Sequence, residues 1–229
     1  MNLVNLAKRI VRKVVKLRRR LRYVSITELL VKQGVFDEQP LQVLDVGCSG
    51  GIFPVWRAFE PSLEALGVDP LVAEIDRLEK QEKNPAVNYI SAYVGLPQNS
   101  EFAIEQGNHD PIGANPWDRL SASLAVQLMR SGMPNSERLS VLNDWVNLPL
   151  NTSEERISID SLVASQGLKG LDFIKIDVDG DDLNVLLSAE KVIQSSPVVG
   201  LMLEVNFFGS DSKFDHTFHN TDRLMRKWG

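Results

Sequence analysis

Val43-Leu44-Asp45-Val46-Gly47-Cys48-Ser49-Gly50-Gly51 is the stretch whose reading decides the fold. Val43 to Val46 is a short apolar run interrupted by one acid, the pattern of a buried parallel strand carrying a single functional carboxylate. Small residues follow. Gly47, Gly50 and Gly51 permit a tight turn and close approach of a ligand to the backbone. Ile52 to Phe59 is then expected to continue as a helix. A strand, a small-residue loop and a helix form a nucleotide-type site at the carboxyl end of a sheet. The plainer reading of the same residues is a tight turn with no ligand.

The spacing within the loop bears on which nucleotide. A dinucleotide fingerprint needs glycine at its first, third and sixth positions, and counting from Gly47 those places hold Gly47, Ser49 and Ile52. The fingerprint fails twice. The residues present, Asp45-x-Gly47-x-Ser49-x-Gly51, resemble instead the first motif of class I S-adenosylmethionine-dependent methyltransferases, with Ser49 where a middle glycine is common. That resemblance implies that Asp45 helps to hold the methionine ammonium. It also implies that the backbone of Gly47, Cys48, Ser49 and Gly51 lies against the cofactor.

Downstream, Phe59-Glu60-Pro61 comes too soon after the loop for a helix to have crossed back over the sheet. Leu66-Gly67-Val68-Asp69-Pro70 is the better second strand, with Asp69 lying 18 residues beyond Gly51. That distance suits a carboxylate that hydrogen-bonds the ribose hydroxyls. Alternatively Asp69 caps a helix from Leu71 to Lys83. Nicotinamide enzymes place an acid similarly, so Asp69 does not separate the two cofactors. Ala86 to Val94 is rich in β-formers and reads as the third strand. Its end, at Ser91, Ala92 or Tyr93, would lie near the adenine, and Ala92 is assigned to the cofactor.

From Leu96 to about Asn151 five prolines are scattered through polar text, which marks an irregular insertion between the third and fourth strands. Arg119 to Arg130 suits a helix, flanked by Trp117 and Trp145. Insertions here commonly border a site, so Trp117, His109 and Asp110 are candidates to face a substrate. The competing reading makes the tryptophans anchors of a surface flap and His109 a solvated loop residue.

Arg156 to Leu162 alternates and then enters a helix that ends near Gly167 and Gly170. Leu171-Asp172-Phe173-Ile174-Lys175-Ile176-Asp177-Val178-Asp179-Gly180 follows, and its first part is a buried strand. Lys175 and Asp177 are two apart and share a face, with Asp177 at the carboxyl end where parallel sheets place their chemistry. Asp179, Asp181 and Asp182 crowd the start of the next helix. Ile159-Asp160-Ser161-Leu162, then Asp172 to Gly180, then Leu186 and Ala189, resemble the signature of the FkbM family of methyltransferases. Asp179 stands where that family prefers Glu. The similarity runs from Leu41 to about Glu204 and is weakest across the insertion.

The resemblance implies a Rossmann-like fold, S-adenosyl-L-methionine as cofactor, and methyl transfer to an oxygen, often a sugar or glycan hydroxyl. Alignment of acceptor and methyl group carries much of the rate of such a displacement. The hydroxyl must also shed a proton. Asp177 or Asp179 suits a general base, with Lys175 holding one carboxylate ionised. The acids also offer oxygen ligands to a divalent metal, although no metal-ligand set is assigned. The plainer reading pairs Lys175 with Asp172 at a strand edge and leaves Asp179 to Asp182 as a solvated helix start. Val198 to Phe207 reads as a buried fifth strand, with Glu204 near its end and beside the acceptor. Asp215 to Trp228 is expected as a helix closed by Gly229, with His216 and His219 as solvated helix residues.

No sequence follows for the antiparallel sixth and seventh strands usual in class I methyltransferases. The fifth strand is therefore expected to be an exposed apolar edge. The fold class is thus α/β, a Rossmann-like sheet with flanking helices, lacking the last two strands and preceded by a basic amphipathic helix. Residues 1–34 form the helical segment and 35–229 the cofactor-binding domain.

Composition sets the remaining bounds. Cys48 is the only cysteine, which excludes intramolecular disulfides and points to a reducing, cytoplasmic compartment. No apolar run approaches the about 20 residues that span a bilayer. The net charge of −5 conceals an asymmetry: Met1 to Val24 carries nine basic residues and no acid, leaving 16 bases against 30 acids, or −14, in the remainder. Leu3, Ala7, Ile10, Val14, Leu17, Leu21 and Val24 recur at spacings of four and three, one apolar stripe on an otherwise basic helix. Such a helix lies on the anionic inner face of a membrane, pairs with another helix, or packs on its own domain. Nucleic acid is disfavoured by the acidic body and the lack of interleaved aromatics. Ser25-Ile26-Thr27-Glu28 reads as a capping box that opens a helix running to about Gly34. Two other functions fit parts of the chain: a nicotinamide-dependent oxidoreductase, against which Ser49 and Ile52 speak, and a non-catalytic scaffold that kept the fold for interaction.

Overall fold

The computed structural model describes residues 25–97, 100–102, 104–105, 134, 136–137, 156–168, 170–178, 181–195, 197–207, 212–213 and 215–229. The basic stripe, His109, Asp110, Trp117, Trp145, the helix expected from Arg119 to Arg130, and Asp179 lie outside the described residues. The regular elements are α1 (Ile26–Lys32), β1 (Leu41–Val46), β2 (Leu63–Asp69), α2 (Val72–Gln81), β3 (Val87–Ser91), α3 (Ile159–Gln166), β4 (Phe173–Ile176), α4 (Asp182–Leu187), α5 (Glu190–Ser195), β5 (Gly200–Leu203) and α6 (Phe218–Trp228). The strands form one parallel sheet in the order β3-β2-β1-β4-β5. The chain therefore winds outward from β1 to β3 and then returns to lay β4 against the other side of β1. That reversal opens the crevice where sheets of this kind hold ligands.

Because the sheet is covered on both faces, its strands read as nearly continuous apolar runs, and alternation sorts them. Leu44, Val46, Leu66, Val68, Ile174 and Ile176 pack with Ile159 and Leu162 of α3, Val185 and Leu186 of α4 and Val192 of α5. Leu41, Val43, Leu63, Ala65, Val87 and Tyr89 face the other way. They pack with Cys48, Ile52 and Trp56 of the post-β1 segment and with Ile75 and Leu78 of α2. Asp45, Gly67, Asp69 and Lys175 share this second face by their place in the alternation.

The helix starts follow local chemistry. Ser25 accepts a hydrogen bond from the Glu28 amide at 3.0 Å, and Ser158 one from the Ser161 amide at 3.1 Å. Gly167, at φ +64°, ends α3 in the left-handed conformation expected there. Asp160, part of the family-like signature, receives the Lys191 and Val192 amides at 3.2 and 2.9 Å. It thereby satisfies donors in the first turn of α5.

Two expectations are corrected. No helix follows the glycine loop directly: only a 3-10 turn forms, at Trp56–Phe59. Pro54 is the reason, because its ring disfavours the helical region for Phe53 before it. The fifth strand is not buried from Val198 to Phe207. It is confined to Gly200–Leu203 and among the described residues pairs with β4 alone, with Val199 73%, Met202 41% and Phe207 76% exposed. Gly200 meets the Phe173 ring so closely that a Cβ would collide with it. Asn206 has already left the sheet to bridge Thr217, the N-cap of α6.

The insertion leaves and returns at one place. Val94 and Ile157 form a parallel bridge, and the Ile157 amide donates to the Tyr93 carbonyl at 2.9 Å. Helix α4 grips both limbs: the Asn184 side chain accepts from the Leu96 amide at 3.0 Å, and Arg156 pairs with Asp181 at 2.9 Å while lying over the Tyr93 ring.

Candidate active site

The site is assembled where β1, β2 and β4 end. Gly47, at φ +79°, turns the chain beside the start of the β4 loop, and a Cβ there would run into the Asp177 carbonyl. Only glycine fits. The Asp177 amide donates to the Val46 carbonyl at 3.0 Å, so the ends of β1 and β4 are locked together.

Most of the loop's amides are already used. Gly47 and Cys48 both donate to the Val68 carbonyl, at 2.8 and 3.2 Å, and Gly51 donates to Cys48 at 2.8 Å. Gly50 donates to Glu74 of α2 at 2.8 Å, Ile52 to the Tyr89 hydroxyl at 3.5 Å, and Phe53 to Asp45 Oδ2 at 2.8 Å. The loop is thus braced from inside the protein. Behind it, Arg57 makes a two-pronged pair with Glu82, at 3.0 and 2.6 Å, and the Tyr89 hydroxyl donates to the same carboxylate at 2.9 Å. Burial works against the Glu82 charge, but these donors and two backbone amides outweigh it and hold the carboxyl at about 2. Burial, with Glu82 as acceptor, pushes the Tyr89 phenol up to about 12.

Asp45 and Lys175 are directly opposite in the β1–β4 register. Lys175 Nζ lies 3.1 Å from Asp45 Oδ1 and 3.3 Å from Asp177 Oδ2. The two acids differ in access: the Asp45 side chain is 1% exposed and that of Asp177 51%. Burial opposes charge on both members of the inner pair. On the amine two carboxylates outweigh it, so Lys175 is held above its ordinary value. On Asp45 one ammonium and one amide do not, and its carboxyl is pushed up.

Asp69 ends β2, is 5% exposed and accepts from the Leu71 amide at 2.9 Å. That bond shapes the turn before α2 without capping it, because the N-cap is Leu71 and no side chain caps the helix. Ala92 is tied by its amide to the Asp69 carbonyl at 3.3 Å, which puts its backbone beside Asp69 while its methyl packs on the helix-side core. Ser49 is exposed at the loop tip.

Burial and pairing sort the remaining candidates. Cys48 points its thiol into the core, 1% exposed, and burial drives its pKa upward. Only its backbone belongs to the loop surface. Lys175 pairs with Asp45 and Asp177 rather than with Asp172, because Asp172 lies at the other end of β4 and accepts from the Gln42 amide at 2.8 Å. Glu204 is exposed just past β5, in none of the hydrogen bonds or ion pairs that join Asp45, Lys175 and Asp177. His216 is not a solvated helix residue. Its side chain is 6% exposed and its Nε2 stands 3.7 Å from the fully buried carboxylate of Asp182. His219 is exposed as expected. Among the described residues no group of three His, Cys, Asp or Glu side chains comes together to hold a metal.

The cross-strand partnership of Asp45 with Lys175 and the brace from Tyr89 and Glu82 are what sequence reasoning missed. The available signal was a lone acid and a lone base, each inside an otherwise apolar strand. Two such charges in one core must find each other.

Five parallel strands wound outward and back from β1, helices on both faces and a glycine turn at the carboxyl edge define a Rossmann-like methyltransferase fold. Residues 56–229 match the family model described as Methyltransferase FkbM domain, and the chain belongs to that family; it is a methyltransferase. The match begins after the glycine loop and runs past Glu204 through α6, so it is displaced toward the C-terminus of the range read from the motifs. No curated protein and no solved structure matches the chain. No helix among the described residues is long and apolar enough to cross a membrane.

Proposed function

We propose that this protein moves the methyl group of S-adenosyl-L-methionine to a hydroxyl oxygen of a sugar or glycan. The observation that carries the cofactor is how the loop spends its amides. A pyrophosphate needs free backbone N–H groups and a helix N-terminus aimed at it. Here the amides of Gly47, Cys48, Gly50, Gly51, Ile52 and Phe53 are committed to protein acceptors, and only a 3-10 turn starts behind them, at Trp56. Among the described residues the edge also carries Asp45, Asp69 and Asp177 against Lys175. That balance favours a ligand bearing positive charge over one bearing phosphates, and it speaks against the nicotinamide reading.

When bound, the cofactor supplies a sulfonium methyl group open to in-line displacement. The chain's part is to align an acceptor hydroxyl and receive its proton, work that falls to the acids past β4 and β5: Asp177, Asp179 and Glu204. The sugar or glycan acceptor rests on the family resemblance, and the basic stripe of residues 3–24 suits contact with an anionic membrane that would present such an acceptor.

Calorimetric titration of the chain with S-adenosylhomocysteine, beside NADH, tests the cofactor. Binding of the first alone is expected; binding of NADH alone would overturn the reading. Transfer of labelled methyl from S-adenosylmethionine to a panel of methyl glycosides then tests the acceptor, and labelling of amines but no glycoside would sink that part.

A further inference from the structure

The motif resemblance gives the ammonium of the cofactor's amino-acid end to Asp45, and the geometry does not. Asp45 is fully inside the protein, with one oxygen on Lys175 Nζ at 3.1 Å and the other on the Phe53 amide at 2.8 Å. An ammonium could reach it only by displacing a buried lysine and unseating the loop, which would strand charge in the core.

Asp177 presents the opposite case. Its carboxylate is 51% exposed, and among the described residues its ion-pair partner is Lys175, at 3.3 Å. Its backbone lies against Gly47, at the place where a side chain is forbidden. Asp45, Lys175 and Asp177 together hold two carboxylates and one ammonium. The group is short of one positive charge, and the shortfall falls at its open end, on the loop. We propose that Asp177, and not Asp45, receives the ammonium of the cofactor's amino-acid end, with Lys175 as the positioning residue that fixes its carboxylate there. This rests on the cofactor reading above. It takes Asp177 out of the acids that receive the acceptor's proton, leaves that work to Asp179 and Glu204, and makes Asp45 the buried counterion that keeps Lys175 in place.

The test compares three ligands by calorimetry: S-adenosylhomocysteine, its analogue lacking the amino group, and 5′-methylthioadenosine, which lacks the whole amino-acid end. In the wild-type chain, loss of the amino group should weaken binding about tenfold to a hundredfold, the worth of one charge-assisted hydrogen bond. In Asp177→Asn that penalty should vanish, while 5′-methylthioadenosine binds as before. Asp177 is exposed, so the variant is expected to fold, and unchanged 5′-methylthioadenosine affinity verifies it. If the penalty persists in full in Asp177→Asn, the assignment is overturned while the cofactor reading stands. If the wild-type chain binds none of the three, the cofactor reading fails and takes this inference with it.

Discussion

The two faces of the sheet are built on different terms. The face under α3 to α6 is regular, with its polar groups kept on the helices: Leu44, Val46, Leu66, Val68, Ile174 and Ile176 meet helices, and none of these six strand residues is more than 4% exposed. Among the described residues the other face has one regular helix packed on its strands, α2, and takes much of its cover from an irregular segment, residues 47–62. It compensates with polar fastenings, Asp45 to Lys175 and Arg57 to Glu82 to Tyr89. The first face stores stability in area, and the second stores position in directed bonds. The glycine loop proposed to meet the cofactor belongs to the second.

If that division is sound, damage to the two faces should be separable. The largest effect is expected from Ile174→Ala, which opens a cavity in the first face at a residue that is 0% exposed. Chemical denaturation should show a loss of about 3 kcal/mol, with S-adenosylhomocysteine affinity of the folded fraction unchanged. An affinity loss matching the stability loss would erase the distinction. Gly47→Ala should come next, at about 2 kcal/mol from the left-handed backbone and the crowded Asp177 carbonyl. Here the affinity itself should fall by more than about tenfold, because the junction of β1 and β4 is displaced.

The smallest effect sharpens the comparison through pH. Glu82 is held at about 2 against an ordinary 4.5, so its contribution is complete above about 4.5 and is lost as pH falls toward 2. Arg57 is 30% exposed, and with screening the contribution is about 1–2 kcal/mol. Glu82→Gln should therefore be less stable than wild type at neutral pH, with the gap closing below pH 4.5. A gap constant down to pH 2 would mean that the brace is not electrostatic.

The sheet was legible because apolar runs punctuated by glycine and proline are local signals, and the carboxyl-edge acids could be found by counting from them. What eluded the sequence was non-local. The Asp45–Lys175 pairing depends on β4 lying next to β1, a fact of strand order separated in sequence by the whole insertion. The burial of His216 likewise depends on where α4 sits. The loop misled in one local respect: Pro54 outweighs the otherwise helix-compatible run from Ile52 to Phe59, a conflict of neighbouring preferences that the sequence does contain.

The narrow neck at Val94 and Ile157 has a bearing on descent. Both limbs of the insertion are anchored at one bridge and to one helix, by Asn184 and Asp181, so the distance between its ends does not depend on what lies between them. Loop closure grows only slowly more costly with length. The intervening stretch is therefore free to be lengthened, shortened or exchanged during evolution without any strand changing register. What the insertion carries and what the sheet carries can then be inherited as separate traits, one drifting while the other is held.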